Sequence, residues 1–162
     1  VVTLNGEEMI LEKFSLKVRS GIVTGGLSGI GKAIATGLVQ SGAEIVIVGR
    51  SRERVERTAG EIGKLGGKGV PVQADVSKMG DIKSLVDRTI KEFGKIDFLF
   101  NNAGTIRRNA SEDFTEEDWD DVVNTNLKGA FFLAQAVAKV MISQKRKGKI
   151  INTSSLISVP SP

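Results

Sequence analysis

A glycine-rich turn near the start of the chain has the residue types and spacing of a phosphate-binding site. It reads Thr24-Gly25-Gly26-Leu27-Ser28-Gly29-Ile30-Gly31, and it joins the apolar pair Ile22-Val23, typical of a buried strand, to apolar residues at helical spacing. Backbone N–H groups at the start of a helix bind phosphate oxygens, and side chains in place of the glycines would block their approach. The turn therefore predicts the phosphate-binding corner of a dinucleotide fold. The alternative is a tight turn whose glycines serve only packing.

A second candidate site follows the next apolar run. Ile45–Val48 ends at Gly49-Arg50-Ser51-Arg52, about 20 residues beyond the glycine turn, where a dinucleotide fold places the group that contacts the adenosine ribose. An acidic side chain there binds the ribose hydroxyls of NAD. Here Gly49 leaves space, and Arg50, with Arg52 close by, supplies positive charge for the 2′-phosphate of NADP. The pattern favours NADP, and NAD remains possible if the arginines only solvate the next helix.

Composition limits the chemistry that the chain offers. With 162 residues, 40% hydrophobic and 26% charged, residues 1–162 are predicted to form one globular domain. The sequence has no cysteine and no histidine, so thiolate sites and the usual general base are missing, and we predict no metal site. The basic run Lys145-Arg146-Lys147 is predicted to be a solvated loop and not a nucleic-acid patch. No apolar run is long enough to span a bilayer and no signal peptide is visible, which predicts a cytoplasmic protein without a membrane partner.

Hydrophobic periodicity predicts strands and helices in alternation. The expected strands lie near 18–24, 44–49, 69–74, 96–101 and 149–153, and the expected helices cover 29–41, 52–65, 78–93 and 116–143, the last with an interruption. The strands are short and rich in Val and Ile, as in parallel sheets buried on both faces. The predicted fold is therefore α/β, a doubly wound parallel sheet of the Rossmann type.

Five motifs in order resemble the classical short-chain dehydrogenases/reductases. They are Thr24-Gly25-x-x-x-Gly29-x-Gly31, Asp75-Val76, Asn101-Asn102-Ala103-Gly104, Asn126-Leu127-x-Gly129 and Thr153-Ser154-Ser155. Within the family, 101–108 and 150–156 resemble the sugar-acid members, the gluconate 5-dehydrogenases and 2-deoxy-D-gluconate 3-dehydrogenases. The resemblance implies an NAD(P)-dependent hydride transfer between a secondary alcohol and a ketone. It also implies a small-molecule substrate with a hydroxyl or keto group and a homo-oligomer.

The resemblance also assigns cofactor contacts. Asp75 would accept a hydrogen bond from the adenine amine, with Val76 offering its backbone, although an ordinary turn at a strand end would also place an aspartate there. Small residues at Ala103 and Gly104 would let the backbone approach the ribose beside Asn102. The remaining cofactor positions carried over are Thr24, Gly25, Ser28, Gly29, Ile30, Gly31, Arg50 and Ser51.

Two residues are implied to act on the substrate side. Ser155 corresponds to the hydroxyl that holds the substrate oxygen, and alignment on the strand 149–152 favours it over Ser154. Asn126 corresponds to a residue that orders a water chain for proton relay, although a helix asparagine usually makes only local hydrogen bonds. The rival interpretations are a 3-oxoacyl carrier-protein reductase and a non-catalytic nucleotide-binding module.

The sequence departs from the family pattern at its end. The family uses a tyrosine as general acid–base and a lysine four residues later, whereas this sequence contains no tyrosine, begins at Val1 and stops at Pro162. We therefore expect the amino-terminal portion of a longer enzyme, with the carboxyl-terminal strands missing and the fifth strand at an exposed edge. We expect these residues by themselves to reduce no ketone.

Overall fold

Five parallel strands form the sheet at the centre of the computed structural model, which describes residues 12–155. The strands are β1 (Ser20–Thr24), β2 (Glu44–Gly49), β3 (Gly69–Gln73), β4 (Phe98–Asn101) and β5 (Lys149–Asn152). Their order in the sheet is β3-β2-β1-β4-β5. The chain therefore winds outward from β1 through β3 and then returns to the other side of β1, which confirms the doubly wound α/β fold. Val1, Leu156 and the segment 158–162 lie outside the described residues.

Helices connect the strands, with each predicted boundary within one residue of the observed one. They are α1 (Gly29–Gln40), α2 (Arg52–Lys64), α3 (Met79–Phe93), α4 (Glu116–Val123) and α5 (Ala130–Ser143). The predicted interruption of the last helix is a π-helical turn, Asn124–Gly129, between α4 and α5. A Cβ atom on Gly129 would lie 2.4 Å from the Val76 carbonyl oxygen, so only glycine lets the turn pass this close to the loop after β3. No helix within residues 12–155 is both long and apolar enough to cross a membrane.

Side chains that alternate along the strands form two core layers. On one face, Ile22 and Leu99 pack with α3 and α5 residues such as Leu85 and Leu133. On the other face, Val23 and Ile47 pack with apolar residues of α1 and α2. Because both faces are covered, the carboxyl ends of the strands are the places where backbone groups and polar side chains meet open space.

Local contacts fix the ends of two helices. The Thr115 hydroxyl accepts a hydrogen bond from the Asp118 N–H at 3.1 Å and so caps the start of α4. The Asp118 carboxylate forms an ion pair at 3.4 Å with Arg107, and this pair joins α4 to the loop that precedes it. Gly94, at φ 71°, ends α3 in the left-handed conformation that glycine favours.

A buried carboxylate joins the segments that precede β1, β4 and β5, at the amino ends of the strands. Asp97, whose side chain is 4% exposed, pairs with Arg19 at 3.3 Å and Arg146 at 3.1 Å through one oxygen, and with Lys95 at 3.2 Å through the other. The Ser20 N–H also donates to it, at 3.0 Å. Burial works to raise the pKa of Asp97, but the hydrogen bonds from Ser20, Arg146 and Lys95 and the positive charge of Lys95 lower it below the usual range.

Two residues other than glycine have a left-handed backbone conformation next to this cluster. Val18 has φ 61° and Lys145 has φ 52°, both in the left-handed region. Each directly precedes an arginine that binds Asp97. The Val18 carbonyl also accepts a hydrogen bond from the Lys95 ammonium. The ion pairs therefore accompany backbone strain on both sides of the carboxylate.

We expect Asp97→Asn to lower the free energy of unfolding at neutral pH by about 2 kcal/mol, the order of one charge-assisted hydrogen bond. The folded-state pKa of Asp97 is depressed, so its contribution is full above the unfolded pKa and is lost as pH falls through the folded pKa. The difference between the native protein and the variant should therefore shrink on acidification.

Urea denaturation from about pH 7 down to about pH 3 measures this difference. Asp87→Asn is the matched control, because Asp87 is exposed on α3. A stability difference for Asp97→Asn that does not change with pH would contradict the assignment.

Candidate functional site

A cavity of about 750 Å³ lies at the carboxyl ends of β1 to β4. We call it the corner cavity. Every predicted cofactor residue except Thr24 lines it, namely Gly25, Ser28, Gly29, Ile30, Gly31, Arg50, Ser51, Asp75, Val76, Asn102, Ala103 and Gly104. It opens where the strand order reverses between β1 and β4, which is where open α/β sheets bind their ligands.

The glycine turn keeps the floor of the corner cavity bare. A Cβ atom on Gly31 would lie 2.2 Å from the Gly25 carbonyl oxygen, whereas one on Gly29, at φ 50°, would meet nothing within 4 Å. The first turn of α1 contains no acidic residue, and the Ser28 hydroxyl does not cap it. The positive end of the α1 dipole and its free N–H groups are therefore available to an anion.

The arginines after β2 divide into two kinds. Arg50 lines the corner cavity, as predicted. Arg52, expected beside it, instead forms an ion pair with Glu56 at 2.9 Å and lines a smaller cavity with Pro71 and Gln73. Arg54, which sequence reasoning missed, lines the corner cavity in its place. Its place in the first turn of α2, four residues after Arg50, is the signal that could have found it.

Leu27 lies where a side chain on Gly49 would stand. A Cβ atom on Gly49 would lie 2.3 Å from Cδ1 of Leu27. The glycine therefore makes room for an apolar side chain of the turn after β1, and Gly49 itself lines the corner cavity. The absence of a side chain still removes the acid that an NAD enzyme would place there.

Asp75 combines the two interpretations given to it. Its Oδ1 accepts hydrogen bonds from the Ser77 hydroxyl at 2.7 Å and the Ser77 N–H at 3.0 Å, which is a turn at the end of a strand. Within the described residues its Oδ2 makes no hydrogen bond, and the residue lines the corner cavity. Burial works to raise its pKa, but the bonds from Ser77 and the charges of Arg50 and Lys78 lower it, so the carboxyl is ionised at neutral pH.

Thr24 lies behind the wall of the corner cavity and not on it. The residue is 1% exposed. Its hydroxyl donates to the Phe100 carbonyl at 3.3 Å and accepts from the N–H groups of Asn102 at 3.0 Å and Ala103 at 2.9 Å. The side-chain amide of Asn102 in turn donates to the Thr24 carbonyl at 3.3 Å. Thr24 thus fixes the backbone that forms the wall.

Asn101 ties the end of β4 to neighbouring elements. Its side-chain amide donates to the Ala130 carbonyl at 2.9 Å and to Oδ1 of Asn152 at 3.1 Å. The start of α5 and the end of β5 are therefore held against the end of β4. The two predicted substrate-side residues lie next to these elements, Asn126 in the π-helical turn before α5 and Ser155 three residues after β5.

A second cavity of about 500 Å³ lies on the other side of this wall, and we call it the serine cavity. Ser155 and Asn126 both line it, together with Ser154 and the exposed Phe131. Three residues, Asn102, Ala103 and Gly104, line both cavities. A ligand that fills the corner cavity would therefore lie one backbone thickness from the serine cavity.

Both polar atoms of the Asn126 side-chain amide form hydrogen bonds with the backbone of Thr105. Its Oδ1 accepts from the Thr105 N–H at 2.8 Å, and its Nδ2 donates to the Thr105 carbonyl at 2.9 Å. Thr105 belongs to the lining of the corner cavity, so an amide from the serine cavity fixes the loop of the corner cavity. Sequence reasoning missed Thr105 because only its backbone takes part, and no residue type signals that.

These contacts test whether the corner cavity suits a dinucleotide. It has a bare glycine turn at an uncapped helix start, two arginines without carboxylate partners among the described residues, and a carboxylate with a free oxygen. These groups fit a pyrophosphate, a ribose and an adenine amine. Within residues 12–155 no group of three or more acidic side chains is placed to hold a metal ion.

Known proteins match this chain along most of its length. A family model described as short chain dehydrogenase matches residues 20–162. The 2-dehydro-3-deoxy-D-gluconate 5-dehydrogenase of Escherichia coli (strain K12) is 45% identical over 150 residues, which cover 93% of this chain and 58% of that protein. The 3-oxoacyl-[acyl-carrier-protein] reductase of Thermotoga maritima is 39% identical over 138 residues, covering 85% and 56%.

A solved structure of a metagenomic short-chain oxidoreductase in complex with NADP has a TM-score of 0.84 and 33% identity, covering 91% of this chain and 66% of that one. The chain thus spans between half and two thirds of the length of these proteins. The family match, which includes every motif from the glycine turn to Ser155, establishes that this chain belongs to the short-chain dehydrogenases/reductases.

Proposed function

We propose that the protein is an NADP-preferring oxidoreductase that interconverts a secondary alcohol and a ketone on a sugar acid. The observation that carries the proposal is the wall shared by the two cavities. Asn102, Ala103 and Gly104 separate a cavity suited to a dinucleotide from a smaller one lined by Ser155. Such a wall brings a cofactor and a substrate within reach of each other.

The proposed roles follow the two cavities. N–H groups at the start of α1 bind the pyrophosphate, Oδ2 of Asp75 accepts from the adenine amine, and Arg50 binds the 2′-phosphate. The nicotinamide of the bound cofactor supplies or accepts the hydride. The Ser155 hydroxyl donates a hydrogen bond to the substrate oxygen and stabilises the negative charge that develops there.

Asn126 has a different proposed role from the water relay that the family resemblance implies. Both ends of its amide hold the Thr105 backbone, so its side chain is a positioning group for the loop between the cavities. The water relay that the resemblance implies stays a hypothesis for Asn126.

The sugar-acid substrate rests on similarity. The Escherichia coli relative named 2-dehydro-3-deoxy-D-gluconate 5-dehydrogenase is 45% identical to this chain. A homo-oligomer in the cytoplasm is part of the same proposal, and the exposed Trp119 on α4 and Phe131 on α5 support an assembly, since large apolar side chains at the surface favour burial.

The proposed activity is tested with the complete protein and two kinds of ketone. NADPH absorbance is followed with keto sugar acids and, in parallel, with 3-oxoacyl thioesters. Turnover of the sugar acids alone supports the proposal, whereas turnover of the thioesters favours an acyl reductase. Cofactor binding without turnover of either substrate would favour a non-catalytic nucleotide-binding module.

We expect Arg50→Asp to raise the use of NAD relative to NADP, because an aspartate repels the 2′-phosphate and accepts from ribose hydroxyls. Removing a charge-assisted hydrogen bond costs on the order of 1.5–3 kcal/mol, or roughly a 10- to 100-fold decrease in kcat/KM with NADP. Arg52→Asp is the matched control, because it makes the same change of charge two residues away and outside the corner cavity. Steady-state kinetics with both cofactors measure the effect, and a native protein that is faster with NAD at matched concentrations contradicts the proposal.

Ser155→Ala is expected to lower kcat strongly, roughly 100-fold or more, by removing a donor to the reacting oxygen. Cofactor affinity should stay nearly unchanged, because Ser155 lines the serine cavity and not the corner cavity. The same change at Ser154 should be milder. Turnover and NADPH titration of both variants decide between them, and an exchange of the two phenotypes would place the active hydroxyl at Ser154.

A further inference from the structure

Four arginines stand at or near the start of α2, and they differ in whether a glutamate neutralises them. Arg52 pairs with Glu56 at 2.9 Å, and Arg57 pairs with Glu53 at 3.6 Å. Among the described residues, Arg50 and Arg54 pair with no carboxylate. These two unpaired arginines are the ones that line the corner cavity.

The backbones of both unpaired arginines are fixed. The Ser51 hydroxyl accepts from the Arg54 N–H at 3.4 Å, which caps α2 and places Arg54 in its first turn. The Arg50 carbonyl accepts from the Gln73 side chain at 3.1 Å, which ties it to the end of β3. The two guanidinium groups therefore start from anchored positions on one rim of the cavity.

The placement of Arg54 is electrostatically unfavourable by itself. A cation in the first turn of a helix faces the positive end of the dipole, and the like charges of Arg50 and Arg54, four residues apart, repel each other. The charge of Asp75 in the cavity lining acts on Arg50, but among the described residues Asp75 forms no ion pair with either arginine. A bound dianion between the two guanidinium groups would offset both costs through charge-assisted hydrogen bonds.

We propose that Arg54 is a second specificity-determining residue for the cofactor, which binds the 2′-phosphate of NADP together with Arg50. The inference rests on the proposed function, since it concerns the same cofactor. It differs from that proposal in assigning the phosphate to two arginines, Arg50 before the N-cap of α2 and Arg54 in its first turn, with Arg52 outside the contact.

The test compares Arg54→Gln with Arg52→Gln in the complete protein. Dissociation constants for NADPH and NADH are measured by cofactor fluorescence, and adenosine 2′,5′-bisphosphate and 5′-AMP serve as competing probes with and without the 2′-phosphate. Arg54→Gln should weaken NADPH and the bisphosphate roughly 10- to 100-fold, as expected when a hydrogen bond to a charged group is removed, and leave NADH and 5′-AMP unchanged. Arg52→Gln should change none of the four by more than about twofold.

Two further variants keep the result interpretable. Arg54→Lys retains the charge without the two-pronged geometry and should give an intermediate decrease in NADPH affinity. The double variant Arg50→Gln with Arg54→Gln should weaken NADPH by less than the product of the two single effects, because both residues bind one group. Circular dichroism confirms that each variant is folded, and Arg54→Lys carries the test if Arg54→Gln is not.

The outcomes separate the two proposals. A native protein that binds NADPH no more tightly than NADH overturns the proposed cofactor preference. A native preference that survives Arg54→Gln overturns only the role of Arg54. Equal weakening of NADPH and NADH would also overturn it, because Arg54 would then contact a part that both cofactors share.

Discussion

The wall between the two cavities depends on one buried hydroxyl group. Thr24 stands at the end of β1, and its Oγ1 donates to the Phe100 carbonyl while it accepts from two successive N–H groups, those of Asn102 and Ala103. A hydroxyl can make these bonds at once. A methyl group in its place would leave the Ala103 N–H without this acceptor and the Asn102 N–H with only the Phe100 carbonyl, 3.1 Å away. The glycine turn that follows Thr24 and the loop that follows β4 therefore share one point of attachment, from which both cavities take their shape.

Much of this arrangement is predictable because it follows local rules. Ile22-Val23 and the run Ile45–Val48 define strands by composition, and the left-handed φ angles of Gly25 and Gly29 follow from a turn that only glycine makes easily. The order of strands and helices then brings the loops after β1 to β4 to one edge. Residue type and order, together with the family resemblance, are therefore enough to predict twelve residues that line one cavity.

The remainder depends on contacts between distant parts of the chain. That Leu27 fills the space beside Gly49 requires knowing how two loops meet. That Glu56 engages Arg52, so that Arg54 lines the cavity, requires the direction of side chains along α2. The Asn126 amide on the Thr105 backbone joins residues 21 positions apart. Spacing favours the ion pair of Arg52 with Glu56, four residues later, but residue type alone does not identify which of several arginines or asparagines makes a contact between distant parts of the chain.

The Asp97 cluster at the amino ends of the strands bears on the rate at which the folded chain unfolds. Its carboxylate binds Arg19 and Arg146, which lie 78 and 49 positions away along the sequence. Bringing such distant segments together costs loop-closure entropy before any ion pair forms, so we expect these contacts to form late in folding. Contacts that form late do little for the rate of folding and act mainly to slow unfolding. We therefore expect the Asp97 ion pairs to slow the separation of β1 from β5, the first and last strands of the described residues.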